Sequence, residues 1–386
     1  MNKGTILYFG GFELPDKNAA AHRVLNNGKV LRELGYRVVF ISIDKNLPFK
    51  GNNKSCKENV QGFDCWYVPY PKSNSQWLNY LTNIDSVKML IKEYSDVKAI
   101  ICYNYQAFAL LRLKKYCNQN DIKLLADCTE WYSTKGSNIV FKIIKGLDSF
   151  LRMRVIQKKL DGVIVISKYL ENYYNKFNNV LRIPPLVDLA ESKWDIKKRC
   201  NEIPQFVYVG SPGVNKDKIN LVVESFYELK KQNKFVLNIV GISKEQYLNL
   251  YKEHENILNE SVGFINFIGR ISHIESLEYL KRADYSIFLR EDTRLNNAGF
   301  PTKYVESISC GTIVITTKTS DLVDYSIQDR NPYFIDISSK SSVIKDMSMF
   351  FQYVNKKSFD NLEIKRDIFN YKNYIEQFEI FIKKIM

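Results

Sequence analysis

The sequence predicts an α/β protein built from two doubly wound, Rossmann-like domains. Three observations carry this. Short apolar runs, rich in β-branched and aromatic residues, alternate with longer helical patterns along the whole chain, which is how buried parallel strands and their crossover helices read. The 386 residues are too many for one ordinary core and comfortable for two. A proline-marked polar stretch near residues 184–204 separates the halves, and adjacent prolines stop sheet pairing.

In the first half the expected strands are Thr5–Phe9, Arg37–Ile43, Cys65–Val68, Ala99–Tyr103, Lys123–Asp127, Gly162–Ile166 and Val180–Ile183. In the second they are Gln205–Val209, Phe235–Val240, Ile265–Ile268, Tyr285–Leu289, Thr312–Thr316 and Tyr333–Asp336. Helical periodicity falls on Ala20–Leu34, Ile219–Lys231, His273–Arg282 and Lys303–Ser309. These elements place the domains at 1–186 and 187–370, with an amphipathic terminal helix over 371–386 set to pack back on the first domain. No internal repeat at a solenoid period occurs.

Composition narrows the class. Seven cysteines, with no C-x-x-C pair and no clustering with the three histidines, argue against a disulfide framework or a zinc site. The opening MNKGTILYF runs straight into a strand, and no apolar run reaches the length of a membrane span; a cytoplasmic protein is expected. Net charge is +14, and residues 1–200 hold 32 Lys and Arg against 18 Asp and Glu, whereas the remainder is balanced. A one-sided basic field implies a polyanionic partner for the first half. No nucleic-acid-binding motif accompanies the charge, so an anionic membrane surface or lipid pyrophosphate is expected rather than nucleic acid.

Ligands of open parallel sheets bind beyond the carboxyl ends of the strands. The first strand ends in Gly10-Gly11 before a helix that carries Arg23, a place where the backbone can approach an anion and where Arg23 either meets an anionic acceptor or is a solvated surface arginine. The first strand of the second half ends in VYVGSPGVNKDK, residues 207–218: Gly210, Ser211 and Gly213 shape a tight loop, and Lys216 and Lys218 follow. That suits a diphosphate. It is not a G-x-x-x-x-G-K-[ST] loop, so ATP hydrolysis through a P-loop is not expected. Residues 297–311, NAGFPTKYVESISCG, read as a loop, a short helix with Pro301 in its first turn, and a glycine cap. There the amides of Ala298, Gly299 and Phe300 and the Lys303 ammonium suit phosphates. Glu306, on the same face as Lys303, suits ribose hydroxyls; alternatively, Lys303 and Glu306 pair only with each other.

The stretches GFPTKYVESISCGTIVI, YVGSPGVNKDKINLVVESF and FIGRISHIESLEYLKRADYSIFLR resemble the signature elements of the retaining glycosyltransferases of family 4. The opening βαβ unit and the IPPLVDL connector are similar to the corresponding parts of that family. The resemblance implies the GT-B fold, two Rossmann-like domains facing across a cleft, with a nucleoside-diphosphate sugar bound as co-substrate by the second domain, the acceptor by the first, and no further cofactor. It implies Lys216 as the phosphate lysine, with Lys218 as the alternative alignment, and Glu306 as the ribose carboxylate. Three departures stand out. The family's Glu eight positions before Glu306 is Ala298 here, and its arginine after the strand glycine is Ser211, so Arg290 or Arg270 would supply that charge. The family's first-domain histidine is missing from Asp127–Tyr132, where Asp127 and Glu130 take its place, as positioning or as structural carboxylates. No D-x-D metal dyad occurs; a metal-independent hexosyltransferase is expected, neutralising the leaving diphosphate with Lys, Arg and amides.

The segment VFKIIKGLDSFLRMRVIQKK, residues 140–159, places apolar residues at 140, 143, 144, 147, 151 and 155 among six basic ones. It is either a helix lying on an anionic membrane or one packed on its own domain with a solvated basic face. The expected activity is transfer of a sugar to a lipid-linked or oligosaccharide acceptor in surface polysaccharide biosynthesis, peripheral to the inner membrane face. The rivals are a silent GT-B subunit that binds a partner glycosyltransferase and a GT-B sugar-nucleotide epimerase.

Overall fold

The computed structural model describes residues 2–15, 17–48, 56–131, 139–196, 201–211, 217–326, 331–355 and 364–386. By contacts the chain divides into two units. One comprises Met1–Asp188, Ala298–Phe300 and Tyr371–Met386; the other comprises Leu189–Asn297 and Pro301–Asn370.

The first unit is one eight-stranded sheet with helices. Its strands are β1 (Thr5–Gly10), β2 (Arg37–Asp44), β3 (Cys56–Val60), β4 (Phe63–Pro69), β5 (Val97–Tyr103), β6 (Lys123–Cys128), β7 (Gly162–Val165) and β8 (Asn179–Arg182). They lie in the order β3-β4-β2-β1-β5-β6-β7-β8. Every pair is parallel except the hairpin of β3 and β4. Its helices are α1 (Ala19–Glu33), α2 (Asn74–Thr82), α3 (Asp85–Glu93), α4 (Ala107–Gln119), α5 (Ile139–Phe150) and α6 (Lys168–Tyr174).

Strand β1 is buried along its whole length. The Asn18 side chain caps α1 by accepting from the Ala21 amide. Gly28 lets that helix close on the sheet, since a Cβ there would stand 2.5 Å from the Phe40 ring. Strand β3 has no counterpart in the sequence reading. Its residues are polar and without period, and only the two-residue turn at Gln61 and Gly62, with φ of 51° and 84°, betrays a hairpin.

The second unit is a six-stranded parallel sheet in the order β11-β10-β9-β12-β13-β14. Its strands are β9 (Gln205–Val209), β10 (Val236–Val240), β11 (Ile265–Gly269), β12 (Tyr285–Phe288), β13 (Ile313–Thr316) and β14 (Tyr333–Phe334). Helices α7 (Ile219–Leu229), α8 (Lys244–Leu250), α9 (Glu255–Asn259), α10 (His273–Arg282), α11 (Arg294–Ala298), α12 (Thr302–Ser309) and α13 (Lys340–Asn355) follow in chain order. Phe206, Phe226, Phe235 and Phe351 interlock in its core. The terminal helix α14 (Ile375–Ile385) belongs to the first unit, where Phe381 and Ile385 press on Gly162: a Cβ there would stand 2.5 Å from Ile385.

In each sheet the first strand has neighbours reached by chain running to either side: β2 and β5 flank β1, and β10 and β12 flank β9. The carboxyl ends of β1 and β5, and of β9 and β12, are therefore the places where the two sheets open for a ligand.

Candidate functional site

At the carboxyl end of β9 a buried charge cluster forms. Tyr208 lies on that strand, Asp217 just before α7, Arg290 just after β12 and Lys303 in the first turn of α12. The Arg290 Nε donates to Asp217 Oδ1 at 2.7 Å, the Tyr208 hydroxyl donates to Oδ2 at 2.8 Å, and the Lys303 ammonium pairs with that same Oδ2. Lys303 also donates to the Tyr208 hydroxyl at 2.8 Å and sits 4.1 Å from its ring centroid. Arg290 is fixed through its backbone: its amide donates to Thr317 Oγ1 at 3.0 Å, and that hydroxyl donates back to the Arg290 carbonyl at 2.7 Å.

Burial alone would push the Asp217 carboxyl up. The attraction of Lys303 and Arg290, with their hydrogen bonds, outweighs it and holds the carboxyl well below the usual range. Asp217 is thus an anion at neutral pH. Burial, then the Asp217 carboxylate, raises the Tyr208 phenol far above its ordinary value, so it stays a donor. One carboxylate facing two cations leaves the cluster a formal charge of +1.

Gly210 makes room for this arrangement. A Cβ at that position would stand 2.3 Å from Lys303 Cε and 2.4 Å from its Nζ, and its φ of 145° is one that side chains rarely adopt. A turn further along α12, Glu306 meets the His273 ring at 3.2 Å, with His273 opening α10 behind the capping box of Ser272 and Glu275.

The expected second-half residues divide accordingly. Lys303 and Arg290 come together, with Gly210 beneath them. Lys218 turns to the exposed Glu291, 2.6 Å away. Ser211 and Arg270 are exposed. Lys216 and Gly213 lie outside the described residues. Ala298, Gly299 and Phe300 lead from α11 into α12 and group by contact with the first unit. The sequence reading missed Asp217, Tyr208 and His273. Asp217 hides between two lysines, and only its position directly before a helix that follows a strand marked it; Tyr208 and His273 read as strand and helix filler.

In the first unit, Gly10 lies against Tyr103, whose carbonyl oxygen would stand 2.5 Å from an added Cβ, while Gly11 opens on free space. Arg23, expected as an acceptor contact, and Asp127, expected as a positioning or a structural carboxylate, are buried together. The guanidinium bonds the carboxylate at 2.8–3.0 Å and donates to the Ile183 carbonyl at 2.9 Å. Neither presents itself to a ligand, because each is the other's counter-ion; nor is Arg23 a solvated surface arginine. Tyr8 donates to Asp127, and Asn27 donates to Tyr8 at 3.1 Å. Glu130 is half-buried. Among the described residues, Cys65, Cys102, Cys117 and Cys128 are free thiols, and these four and Cys310 are buried. No helix there is long and apolar enough to cross a membrane.

Two α/β units with parallel sheets, each open at its first strand, define a chain of the GT-B fold class, and solved structures bear this out. The chain is similar to sucrose-phosphate synthase from Thermosynechococcus elongatus, with a TM-score of 0.70 and 14% identity over 99% of each chain. It is similar to the catalytic domain of starch synthase IV from Arabidopsis thaliana bound to ADP and acarbose, with a TM-score of 0.69 and 12% identity over 99% of each chain. It is also similar to HepE from Anabaena in complex with UDP and glucose, with a TM-score of 0.66 and 10% identity over 98% of this chain and 99% of that one. Residues 192–378, which include the whole Lys303 cluster, match the family model of glycosyl transferases group 1. No curated protein sequence matches the chain.

Proposed function

We propose that the chain is a retaining, metal-independent glycosyltransferase of family 4 that moves a sugar from a nucleoside diphosphate to a glycan acceptor, lipid-linked at the inner face of a membrane, in surface polysaccharide biosynthesis. The observation that carries the reading is the excess cation at the carboxyl ends of β9 and β12. Lys303 and Arg290 outnumber Asp217 beside a glycine-lined strand end, within the residues that match a glycosyltransferase family. Solved structures of the same fold hold UDP or ADP.

In this reading Lys303 and Arg290 face the diphosphate and stabilise the charge that grows on it as the sugar leaves. Glu306, oriented by His273, accepts from the ribose hydroxyls. The bond between the anomeric carbon and the phosphate oxygen breaks, the acceptor hydroxyl forms the new bond on the same face, and its proton passes to the departing phosphate oxygen.

The test is a thermal-shift screen against UDP, ADP and GDP, followed by calorimetric titration. A nucleotide at 100 times its dissociation constant should add about 2.7 kcal/mol, and Glu306→Gln should weaken that binding without an acceptor present. Stabilisation by no nucleoside diphosphate overturns the reading.

A further inference from the structure

Helix α5 is inside out. In an ordinary surface helix the apolar stripe faces the core. Here Ile143, Ile144, Leu147 and Phe150 are 65%, 55%, 51% and 49% exposed. The inward side carries polar groups instead: Asp148 accepts from the Ala107 amide at 2.7 Å, which ties α5 to the start of α4. In the π-helical turn that follows, Arg152 is buried and donates to the Asn104 carbonyl at 3.1 Å. The basic residues of this segment therefore do not form one solvated face.

The helix that α5 touches, α4, also exposes apolar side chains. On α4, Phe108 and Leu111 are exposed, and one turn on the same stripe becomes Arg112 and Lys115. Those two cations, with Lys88 of α3, line a cavity of about 330 Å³ that also holds Asn83 and Tyr116. Arg112 is held there by the Thr82 carbonyl at 2.8 Å, and Lys88 lies 5.4 Å from the Tyr116 ring centroid. Among the described residues, Asp85 is the one acidic residue on the cavity wall.

An apolar ridge that adjoins a cationic hollow has the two halves of a phospholipid's chemistry. We infer that α4 and α5 form the face by which this protein lies on an anionic bilayer, with Ile143, Leu147, Phe150, Phe108 and Leu111 entering the acyl boundary and the Lys88–Arg112–Lys115 hollow receiving a lipid phosphate. The occupant follows from charge complementarity: the excess of Lys and Arg is confined to residues 1–200, and an interfacial helix of this kind binds through apolar burial plus attraction to anionic lipid. The inference deepens the membrane part of the proposed function and does not depend on the sugar donor.

Flotation of the full-length protein with vesicles of phosphatidylcholine alone, and of phosphatidylcholine mixed with phosphatidylglycerol, tests it. The wild type should float with the mixed vesicles and be released as salt rises, since attraction between exposed charges is screened within about 10 Å at 0.1 M. Leu147→Glu with Phe150→Glu should abolish flotation. Lys88→Ala with Lys115→Ala should weaken it about 30-fold on the mixed vesicles and narrow the preference for anionic lipid. All four positions are surface-facing, and nucleoside diphosphate binding should be unchanged in both variants; it reports folding, and its own failure would strike the donor reading alone. Wild type that does not float with the mixed vesicles overturns the inference, as do variants that float like wild type. So does a concentration-dependent dimer that Leu147→Glu with Phe150→Glu dissolves while lipid binding is absent; that face would then belong to a second copy of the chain.

Discussion

The two sheets end in clusters of the same design and opposite consequence. Each first strand carries a tyrosine two residues before a glycine, Tyr8 in LYFG and Tyr208 in VYVG. Each tyrosine donates to a buried aspartate, Asp127 or Asp217. In the first unit that aspartate meets one arginine, and Arg23's remaining reach goes to the Ile183 and Pro184 carbonyls. The charges cancel and the group is sealed. In the second unit Asp217 meets both Arg290 and Lys303, and both cations keep some contact with solvent. A balanced pair is a clamp; an unbalanced one attracts an anion. The same strand-end architecture thus serves structure in one unit and, in the proposed reading, ligand in the other.

The largest expected effect breaks the clamp. Asp127→Ala leaves the Arg23 guanidinium buried without its counter-ion, which should cost about 3–5 kcal/mol. Urea or thermal unfolding measures it, and a loss below 1 kcal/mol would refute the structural assignment. Nucleoside diphosphate affinity of whatever folded protein remains should be unchanged.

Next comes the unbalanced cluster. Lys303→Ala should weaken nucleoside diphosphate binding by about 2–4 kcal/mol, roughly 30- to 1000-fold, as for other desolvated charge contacts, while Asp217 keeps Arg290. Titration calorimetry decides, and an unaltered dissociation constant would move the anion site elsewhere. Asp217→Asn should act in the opposite sense on the ligand: two cations lose their internal partner, so nucleotide binding tightens even as the protein loses stability.

Gly210→Ala probes the same spot sterically. Its Cβ would collide with the Lys303 side chain and adopt a strained φ, at about 1–3 kcal/mol, and nucleotide affinity should fall along with stability. His273→Ala is milder. It removes one hydrogen bond to Glu306, so about 1 kcal/mol of nucleotide affinity should go, read in the same titration.

The smallest effect is with acid. Asp217's folded carboxyl is held below its unfolded value of about 4. Its stabilising contribution is therefore complete above about pH 4 and is lost as pH falls through the lowered folded value. Between pH 4 and pH 2, Asp217→Asn should lose less stability than wild type; equal slopes would deny the ion pairs.

The sequence made the architecture legible because burial and period coincide: β9 and α10 run over the residues their patterns mark, and the other expected strands differ by one or two residues at their ends. It yielded the site less well. Lys303, Arg290 and Gly210 could be named from loop chemistry, but pairing is a property of three dimensions. Nothing local tells Arg23 that its partner lies 104 residues on, or that Asp217 will draw in residues from two later loops. Burial likewise turned α5 over: its 3.6-residue period is real, but period alone does not say which side faces inward.

One feature of the first sheet bears on how the protein behaves at high concentration. The antiparallel strand β3 occupies the outer edge beside β4, where an unpaired parallel strand would otherwise offer its amides and carbonyls to any passing chain. Its sequence, CKENV, puts Lys57, Glu58 and Asn59 in solvent along that rim. Charged side chains on a short edge strand discourage sheet-to-sheet growth, so β3 acts as a gatekeeper against aggregation. Replacing its charges with valine or isoleucine would leave the clamp and the anion site intact and reduce solubility.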